Sequence, residues 1–449
     1  MSKQIKLRKG LNIRMKGEAD KILIPEERPG RFAVKPVDFP GLVPKMCVKP
    51  GEEVKAGTTI FYDKKKEKIK YTSPVSGVVL DVTRGERRRI LEVVIETKGD
   101  DYVDFGKGDP EKMETGDIKG KMLESGLWPV VRQRPYHMVA NPDERPKSIF
   151  ISGFDTAPLA ADLDYIIDHL PKEDYLTGIK VLRKLTDGKV YLSLSTNTAS
   201  DLLKTTPGVE INYFSGPHPA GNVGIQIHHI DPVNKGEIVW YVNLQDIVSI
   251  GRLFNEGKYA PDKIVALAGS EVEKPGYYRT RTGASISNIV KANITSFNVR
   301  YISGNVLTGQ KIQRDGFLGY YDSLITVIPE GNYYEFFGWI SPGLNKFSLS
   351  RTFLTWLMPG KKYRLDTNMH GGERAFVVTG EYEKVLPMDV YPMQLLKSIL
   401  VEDIDRMEQL GIYEVADEDF ALCEFICPSK IEIQSIIRKG LDLMVKEMS

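Results

Sequence analysis

The chain has 449 residues, of which 41% are hydrophobic and 27% charged. At roughly 150 residues per domain, this length predicts about three domains with cores of their own. Because 61 basic side chains stand against 60 acidic ones, no overall field draws the protein to nucleic acid, and a polyanionic partner is disfavoured.

The sequence shows no apolar run of the roughly 18 residues that a bilayer span requires, so we expect no transmembrane insertion. Its N-terminus lacks the apolar segment of a secretory signal. The three cysteines, Cys47, Cys423 and Cys427, are few and odd in number, which favours a reducing compartment over a disulfide framework. We therefore predict a cytoplasmic location.

The first hundred residues contain short strand-forming runs separated by glycine and proline turns. Val54-x-x-Gly57 and Val82-x-x-Gly85 look like two related half-units, each with an apolar residue just before a glycine turn. This pattern is typical of a barrel-sandwich hybrid, the fold of lipoyl and biotinyl carrier domains. We assign residues 1–100 to such a domain.

A carrier domain would attach its prosthetic group to a lysine, and Lys64, Lys65 and Lys66 stand near the expected position. Carrier domains present a single lysine in a tight hairpin, whereas these three lie in a longer charged connection. A solvated loop on a borrowed scaffold is therefore favoured. Four nearby arginines could dock an acidic partner, but an ordinary charged turn is favoured: Arg84, Arg87, Arg88 and Arg89.

A segment with a single glycine follows the barrel: Ser125-Gly126-Leu127-Trp128-Pro129. It resembles the position at which RnfC and the NADH-binding flavoprotein subunit of respiratory complex I carry a glycine-rich loop around flavin phosphate and NADH. Glycines let backbone N–H groups approach phosphate oxygens, and here side chains occupy that space. We therefore expect no flavin mononucleotide at this loop.

Apolar strands alternate with helical segments across residues 101–257, as in a doubly wound α/β unit. This unit resembles the Rossmann-like domain of the two relatives just named. Strands are predicted at residues 148–152, 189–193, 209–213 and 237–242, and a helix at about 159–170. His218, His228 and His229 lie in this unit, but no recognised ligand spacing accompanies them, so no metal site is predicted.

Short apolar strands at residues 263–269 and 298–302 belong to the next predicted unit, residues 258–330. This unit resembles the β-grasp module of the soluble-ligand-binding type in the same relatives. Such a module holds a small molecule in some proteins. A packing role between domains is favoured here.

The sequence Cys423-x3-Cys427-Pro428 matches the second half of a bacterial iron–sulfur run, C-x2-C-x2-C-x3-C-P. The two earlier ligand positions carry Asp417 and Phe420, which cannot replace soft thiolates. We interpret Cys423 and Cys427 as a degenerate motif with two partly buried thiols one helical turn apart. Residual metal binding or redox sensing is the alternative.

Residues 331–449 are predicted to form a C-terminal region with a helical domain. Ser429 and Glu432 have the spacing of a capping box. One apolar helical face follows: Ile433, Ile436, Ile437, Leu441 and Met444. We expect this helix to start at the capping box and to pack on the domain that it follows.

The order of these features, over almost the whole chain, resembles the NqrA family of the Na+-translocating NADH:quinone reductases. Further motifs that look like this family's are Lys64-Lys65-Lys66 and Arg132-Gln133-Arg134-Pro135-Tyr136. The predicted fold class is multidomain, α/β and α+β. The resemblance implies a peripheral subunit on the cytoplasmic face of the bacterial inner membrane. Its complex would pass electrons from NADH to quinone and move Na+.

The resemblance also implies that FAD, FMN, riboflavin and Fe–S clusters belong to other subunits. This chain then holds no cofactor, has no catalytic residue of its own, and docks on its partners, the membrane subunit NqrB above all. The main alternative is a free-standing protein that binds or carries a small ligand.

A quinone-binding contribution is ascribed to this family, and a quinone requires an aromatic face and donors to its carbonyl oxygens. The candidates are Trp128, Arg132, Arg134, Tyr136 and His137. A cluster at a domain interface is the favoured alternative for these five residues.

Overall fold

A computed structural model describes residues 3–25, 29–338 and 343–448. Its strands are β1 (Gln4–Lys6), β2 (Leu23–Ile24), β3 (Arg31–Val34), β4 (Pro44–Met46), β5 (Glu53–Val54), β6 (Thr59–Asp63), β7 (Lys70–Thr72), β8 (Gly77–Arg84), β9 (Ile90–Thr97), β10 (Arg132–Arg134), β11 (Met138–Val139), β12 (Ser148–Ser152), β13 (Lys189–Ser195), β14 (Glu210–Ser215), β15 (Val239–Asn243), β16 (Asp262–Ala268), β17 (Gly276–Arg281), β18 (Val299–Ser303), β19 (Gln310–Ile312) and β20 (Leu324–Pro329).

The α-helices lie mainly in the second and last quarters of the chain. They are α1 (Thr115–Glu124), α2 (Leu163–Asp168), α3 (Lys172–Lys184), α4 (Asp201–Lys204), α5 (Val223–Ile230), α6 (Leu244–Glu256), α7 (Ser287–Val290), α8 (Pro392–Leu400), α9 (Ile404–Gln409), α10 (Ala421–Ile426) and α11 (Ile433–Met448). None of the helices among the described residues is long and apolar enough to cross a membrane.

Two small antiparallel sheets form the N-terminal β domain, with strand orders β3-β9-β8-β5 and β4-β6-β7. Alternating apolar residues of both sheets meet in one core, in which the rings of Phe61 and Tyr71 stack at 4.9 Å. Gly57 occupies a turn with φ of +94°, where a side chain would be strained. The predicted strand-rich character of this region is confirmed.

A seven-stranded sheet forms the α/β unit, in the order β1-β14-β13-β12-β15-β10-β11. The strands from β1 to β15 in that order run parallel, while β10 and β11 are antiparallel additions at one edge. The four predicted strands of this unit, now β12 to β15, are confirmed. The predicted helix is shorter at both ends: it begins at Leu163, because the Asp162 carboxylate caps it by accepting the N–H of Tyr165, and it ends at Asp168.

Close packing of α3 against α6 sets the position of the N-terminus of α6. A Cβ at Gly178 would lie 2.1 Å from the carbonyl oxygen of Ile247, and one at Gly251 would lie 1.7 Å from that of Asp174. Only glycine therefore allows the two helices to approach so closely at these positions.

A six-stranded sheet forms the third unit, in the order β19-β18-β20-β16-β17-β2. The strands predicted at 263–269 and 298–302 are confirmed as β16 and β18. The N-terminal segment ties the units together, because β1 joins the α/β sheet and β2 joins this sheet rather than the small β domain.

Helices α8 to α11 form the C-terminal end, and they share a core with neighbouring units. The predicted apolar face of α11 is confirmed, since all five of its residues are buried. The predicted capping box is wrong: α11 begins at Ile433, and the Ser429 hydroxyl donates to the carbonyl of Ala375. Instead, the carboxylate of Glu424 accepts the N–H of Gln434 at 2.8 Å, a cap from the preceding helix that no local spacing reveals.

Candidate functional site

Strand β10 carries two of the predicted site residues, Arg132 and Arg134, on the same face of the sheet because they are two positions apart. The guanidinium of Arg132 lies between two aromatic rings, 4.5 Å from the ring centre of Tyr241 and 4.2 Å from that of Tyr321. Its Nη2 donates to Asn243 Oδ1 at 2.8 Å. Cation–π contacts with both rings hold this cation in place.

Arg134 lies two residues further along and is fully buried. Its Nη1 donates to Asp419 at 3.0 Å and its Nη2 donates to Glu418 at 2.8 Å. Burial opposes the charge of this guanidinium, but Asp419 and Glu418 outweigh that effect and raise the pKa of Arg134. The guanidinium is thus a permanent cation that binds the C-terminal segment to the sheet.

His137 joins the same network. Arg132 Nη1 lies 3.4 Å from His137 Nε2, and His137 Nδ1 lies 2.8 Å from Asp417 Oδ1. The structure therefore brings together the two segments that the sequence singled out separately, residues 132–137 and 417–419.

The other two quinone candidates point elsewhere. Trp128 is fully buried, its indole N–H donates to the Ala140 carbonyl at 2.8 Å, and its ring meets Trp240 edge to face at 5.4 Å. The half-buried ring of Tyr136 contacts Tyr413. Only Arg132, among the five candidates, lines the cavity described next.

A cavity of about 240 Å³ lies where β12 and β15 end. The chain leaves β12 for β13 and β14 on one side and returns with β15 on the other side, so the strand order reverses at this point. In open α/β sheets, ligands bind in the crevice at such a reversal. The N-terminal residues of α5 and α6 also line the cavity, and helix N-termini present unpaired backbone donors.

Buried polar groups face this cavity without a partner. The Tyr241 hydroxyl and Asp246 Oδ2 have no hydrogen-bond partner among the described residues, and neither has Arg132 Nε. An unsatisfied buried polar group costs about 1–3 kcal/mol, so these atoms favour a site that a polar ligand or water completes.

The electrostatics of the cavity are mixed, with Arg132 and Lys263 opposite carboxylates. Burial raises the pKa of Asp246, although Lys263 and Arg132 oppose this effect. Burial also raises the pKa of Tyr241 to about 12 and lowers that of His218 to about 4. The cavity can therefore offer donors from Arg132 and from the Tyr241 hydroxyl.

Sequence reasoning did not select Tyr241, Tyr321, Asp246 or Lys263 as site residues. Tyr241 lies inside the apolar run of β15, and Asp246 reads as an ordinary residue of a first helical turn. The sequence Asn243-Leu244-Gln245-Asp246 could have indicated this site. Polar residues that directly follow a parallel strand lie at the ligand-binding edge of the sheet.

The two cysteines of the degenerate motif are fully buried. Cys423 lies within α10, while Cys427 is the residue just after its end. Cys427 Sγ lies 2.9 Å from the Tyr382 hydroxyl, and burial raises the pKa of Cys423 well above its ordinary value. A buried protonated thiol is chemically inert.

The remaining sequence candidates occupy ordinary structural positions. His228 contacts Glu414 and His229 contacts the Pro387 carbonyl. Within the described ranges, no group of three or more His, Cys, Asp or Glu residues could hold a metal ion. The lysines Lys64, Lys65 and Lys66 follow β6 in its connection to β7, and the four arginines lie exposed around the turn between β8 and β9.

The fold and the cavity together define a multidomain α/β protein whose parallel strands end at a polar cavity. Three of its segments match known domains. They are the NqrA N-terminal barrel-sandwich hybrid domain at residues 5–98, the NqrA second alpha/beta domain at 113–259 and the NQRA C-terminal domain at 264–314. The chain belongs to the NqrA family, whose members are subunits of the Na(+)-translocating NADH-quinone reductase, an enzyme complex.

Full-length relatives support this membership. The NqrA subunit of the Na(+)-translocating NADH-quinone reductase from Hahella chejuensis (strain KCTC 2396) is 41% identical over 99% of this chain and 100% of the relative. With the same coverage, that of Yersinia pestis bv. Antiqua (strain Angola) is 39% identical and that of Neisseria gonorrhoeae (strain NCCP11945) is 37% identical. The predicted family and the predicted barrel-sandwich hybrid are confirmed.

Likenesses to solved structures are much weaker. NAD+-reducing [NiFe]-hydrogenase in the H2-reduced state matches with a TM-score of 0.39 and 9% identity, over 78% of this chain and 67% of that chain. The air-oxidized state matches with a TM-score of 0.35 and 9% identity, over 68% of this chain and 55% of that chain. These values are too low to indicate a shared fold.

Proposed function

We propose that this subunit holds neither flavin nor an Fe–S cluster and serves as a peripheral docking and quinone-associated part of the reductase complex. It would lie on the cytoplasmic face of the bacterial inner membrane against the membrane subunit NqrB. FAD, FMN, riboflavin and Fe–S clusters would belong to other subunits. The observation that carries this proposal is the ion-pair network between Arg134 and the segment 417–419.

The loop at residues 125–129 does not fit a flavin phosphate. A Cβ at Gly126 would lie 2.4 Å from the side chain of Thr72, and the Thr72 hydroxyl donates to the Ser125 carbonyl at 2.9 Å. The single glycine of this loop therefore allows close contact with Thr72 of the β domain, and Trp128, two residues further on, is fully buried. No bare backbone faces a phosphate there.

The C-terminal motif does not fit an Fe–S cluster. Two of its four ligand positions carry other residues, Asp417 and Phe420. Asp417 contacts His137, and Phe420 is fully buried in the core. The buried thiols of Cys423 and Cys427 supply only two soft ligands, whereas such clusters take four thiolates. The third cysteine, Cys47, is exposed in the β domain.

The finer fold assignments belong to the same proposal. We infer that the α/β unit is Rossmann-like, because its strand order reverses beside a cavity at the carboxyl ends of the strands. We also assign the six-stranded sheet with α7 to a β-grasp module. Its packing between the other units supports a structural role.

The cavity at the ends of β12 and β15 is the place that we propose for a quinone head group. A quinone presents a flat ring with two carbonyl acceptors, and the cavity offers the rings of Tyr241 and Tyr321 with donors from Arg132 and the Tyr241 hydroxyl. Of the five candidates predicted from sequence, this proposal keeps Arg132 alone. Arg134, His137, Tyr136 and Trp128 are positioning or packing residues in it.

The binding of a short-chain ubiquinone to the isolated protein tests this site. Tyr241→Phe removes only the unpartnered hydroxyl, and Arg132→Gln removes the cation. Because a hydrogen bond to a charged group is worth about 1.5–3 kcal/mol, we expect Arg132→Gln to weaken binding by about tenfold or more in equilibrium dialysis. Arg252→Gln is the matched control, since Arg252 pairs with Asp174 and Asp262 away from the cavity. Equal binding by wild type and Arg132→Gln would contradict the site.

A free-standing ligand-binding or carrier protein is the alternative function. Purification of the tagged chain from detergent extracts of its native host separates the two. We expect the other subunits of the reductase to co-purify with it. Recovery of the tagged chain only as a lone species would favour the alternative.

A further inference from the structure

Large exposed apolar side chains concentrate in one part of the chain. Of the 20 such residues among those described, 12 lie in residues 333–338 and 343–378, which we call the aromatic segment. The rings and long aliphatic chains among them include Tyr333, Tyr334, Phe336, Trp356, Leu357 and Met358. Exposed apolar residues scattered singly are normal, but a concentration of them marks an interaction surface.

The aromatic segment is fastened to the body of the protein although its apolar side chains face outward. Met15 and Tyr363 form a backbone bridge, and Arg364 forms a bidentate pair with the buried carboxylate of Glu271, at 2.7 and 3.0 Å. Further along, the N–H of Arg374 donates to the Ser429 carbonyl at 3.0 Å. Tyr334 (106% exposed) and Phe336 (88% exposed) thus belong to a surface that is attached to the body of the protein.

Several cations of this surface are paired with carboxylates, but two of its arginines are not paired in the described part of the chain. Residues 333–378 carry six Lys and Arg side chains against three Asp and Glu. Lys346, Lys362 and Arg364 pair with carboxylates of this chain. Arg351 and Arg374 have no carboxylate partner among the described residues, and Arg351 stacks over the ring of Trp356 at 5.6 Å. A partner that complements this surface would present apolar groups bordered by carboxylates.

We propose that the aromatic segment is the docking surface for another subunit of the same complex, one that presents an apolar face bordered by carboxylates. This inference rests on the proposed function as a peripheral subunit. Tyr, Trp, Phe, Met and Arg are the residue types enriched at protein–protein interfaces, and they are the types that this segment exposes.

Two other occupants fit less well. A membrane surface is usually bound by an amphipathic helix with one apolar face, and the described part of this segment has only a four-residue 3-10 turn, Leu354–Leu357. A second copy of this chain would bring Arg351 and Arg374 of both copies to one interface without added carboxylates, which is unfavourable.

The test uses the tagged chain together with the remaining complex in detergent. The variant Tyr334→Ser/Phe336→Ser removes two outward rings, and Phe297→Ser/Tyr391→Ser is the matched control, because Phe297 (107% exposed) and Tyr391 (67% exposed) lie outside the segment. We expect the first variant to raise the Kd for the complex by at least about tenfold, and the control to bind like wild type. Thermal melting of each isolated variant checks that folding is unchanged.

A second variant tests the two arginines of the aromatic segment that have no carboxylate partner among the described residues. Arg351→Gln/Arg374→Gln should slow association and reduce its dependence on salt, because exposed charges act mainly on the rate of encounter. Lys68→Gln, on an exposed pair with Asp143, should change neither quantity.

Three results would overturn the inference while leaving the proposed function standing. Equal affinity of wild type and Tyr334→Ser/Phe336→Ser for the remaining complex would exclude this surface as the docking site. Flotation of wild type, but not of this variant, with phosphatidylglycerol vesicles, at unchanged affinity for the complex, would assign the surface to lipid. A wild-type dimer in gel filtration that the variant dissociates would assign it to a second copy. If wild type itself fails to bind the remaining complex, the proposed function fails instead.

Discussion

Arg134 Nη1 donates a 3.0 Å hydrogen bond to Asp419 Oδ2, and both side chains are fully buried although 285 residues separate them. A Cβ at Gly224 would lie 2.5 Å from the Asp419 carboxylate and 2.9 Å from Arg134 Nη2. Only glycine therefore fits beside this pair. The segment that carries the degenerate iron–sulfur motif is fixed to the α/β sheet by charge.

Arg134→Met should lower the free energy of unfolding of the isolated protein by about 3–5 kcal/mol, because it leaves the buried carboxylate of Asp419 and the partly buried carboxylate of Glu418 without their cation. Urea unfolding measures this loss. Arg134→Met/Asp419→Leu should recover part of it, since both charges are then removed. Lys68→Gln, on an exposed pair, should unfold like wild type. Wild-type stability of Arg134→Met would show that the pair does not hold this segment.

Cys423→Ser/Cys427→Ser should leave assembly and NADH:quinone activity of the complex intact. Both thiols are buried, so we expect a modest loss of about 1–2 kcal/mol in unfolding free energy from the buried hydroxyls. Cys47→Ser, at an exposed position, is the control and should change nothing. Loss of turnover in a fully assembled complex would mean that these cysteines bind metal or relay electrons.

His218 should make the folded state sensitive to acid. Burial, opposed by Glu418, lowers its pKa from 6.5 to about 4, so between these values the unfolded chain binds a proton that the folded protein does not. Stability is therefore full above about pH 6.5 and falls as the pH drops towards 4, by about 3 kcal/mol in all. His218→Asn should reduce this acid sensitivity in unfolding measured from about pH 7.5 to 4.5. His169→Asn is the control, and an unchanged pH profile in His218→Asn would refute the assignment.

Features with a local period were predictable from the sequence. The apolar strands β12 to β15 and the apolar face of α11 follow from spacing alone, because burial repeats along each element. The contact between Arg134 and Asp419 was not predictable from the sequence, because ion pairs leave no periodic signal and these residues lie far apart in the chain. The cavity could not be predicted for a related reason. It depends on the order of the strands in the sheet, and the sequence of a single strand does not reveal that order.

Mass spectrometry of the protein from its native host should find Lys64, Lys65 and Lys66 without lipoyl or biotinyl groups. The backbone N–H of Lys64 donates to the Val43 carbonyl, and that of Lys65 donates to Asp63. These hydrogen bonds fix the lysines in the connection between β6 and β7, which is longer than a two-residue hairpin turn. Unmodified peptides covering these residues are the expected result. Either adduct would restore the carrier hypothesis.

The most direct test of the central claim is the flavin and iron content of this chain, isolated from the intact reductase complex and measured by visible absorption and elemental analysis. Side chains crowd the loop at Gly126, and ion pairs hold the segment 417–419. We therefore predict a colourless chain with no stoichiometric flavin or iron, while the remaining subunits keep theirs. A flavin spectrum, or iron in stoichiometric amount with this chain, would contradict the proposal that it holds neither cofactor.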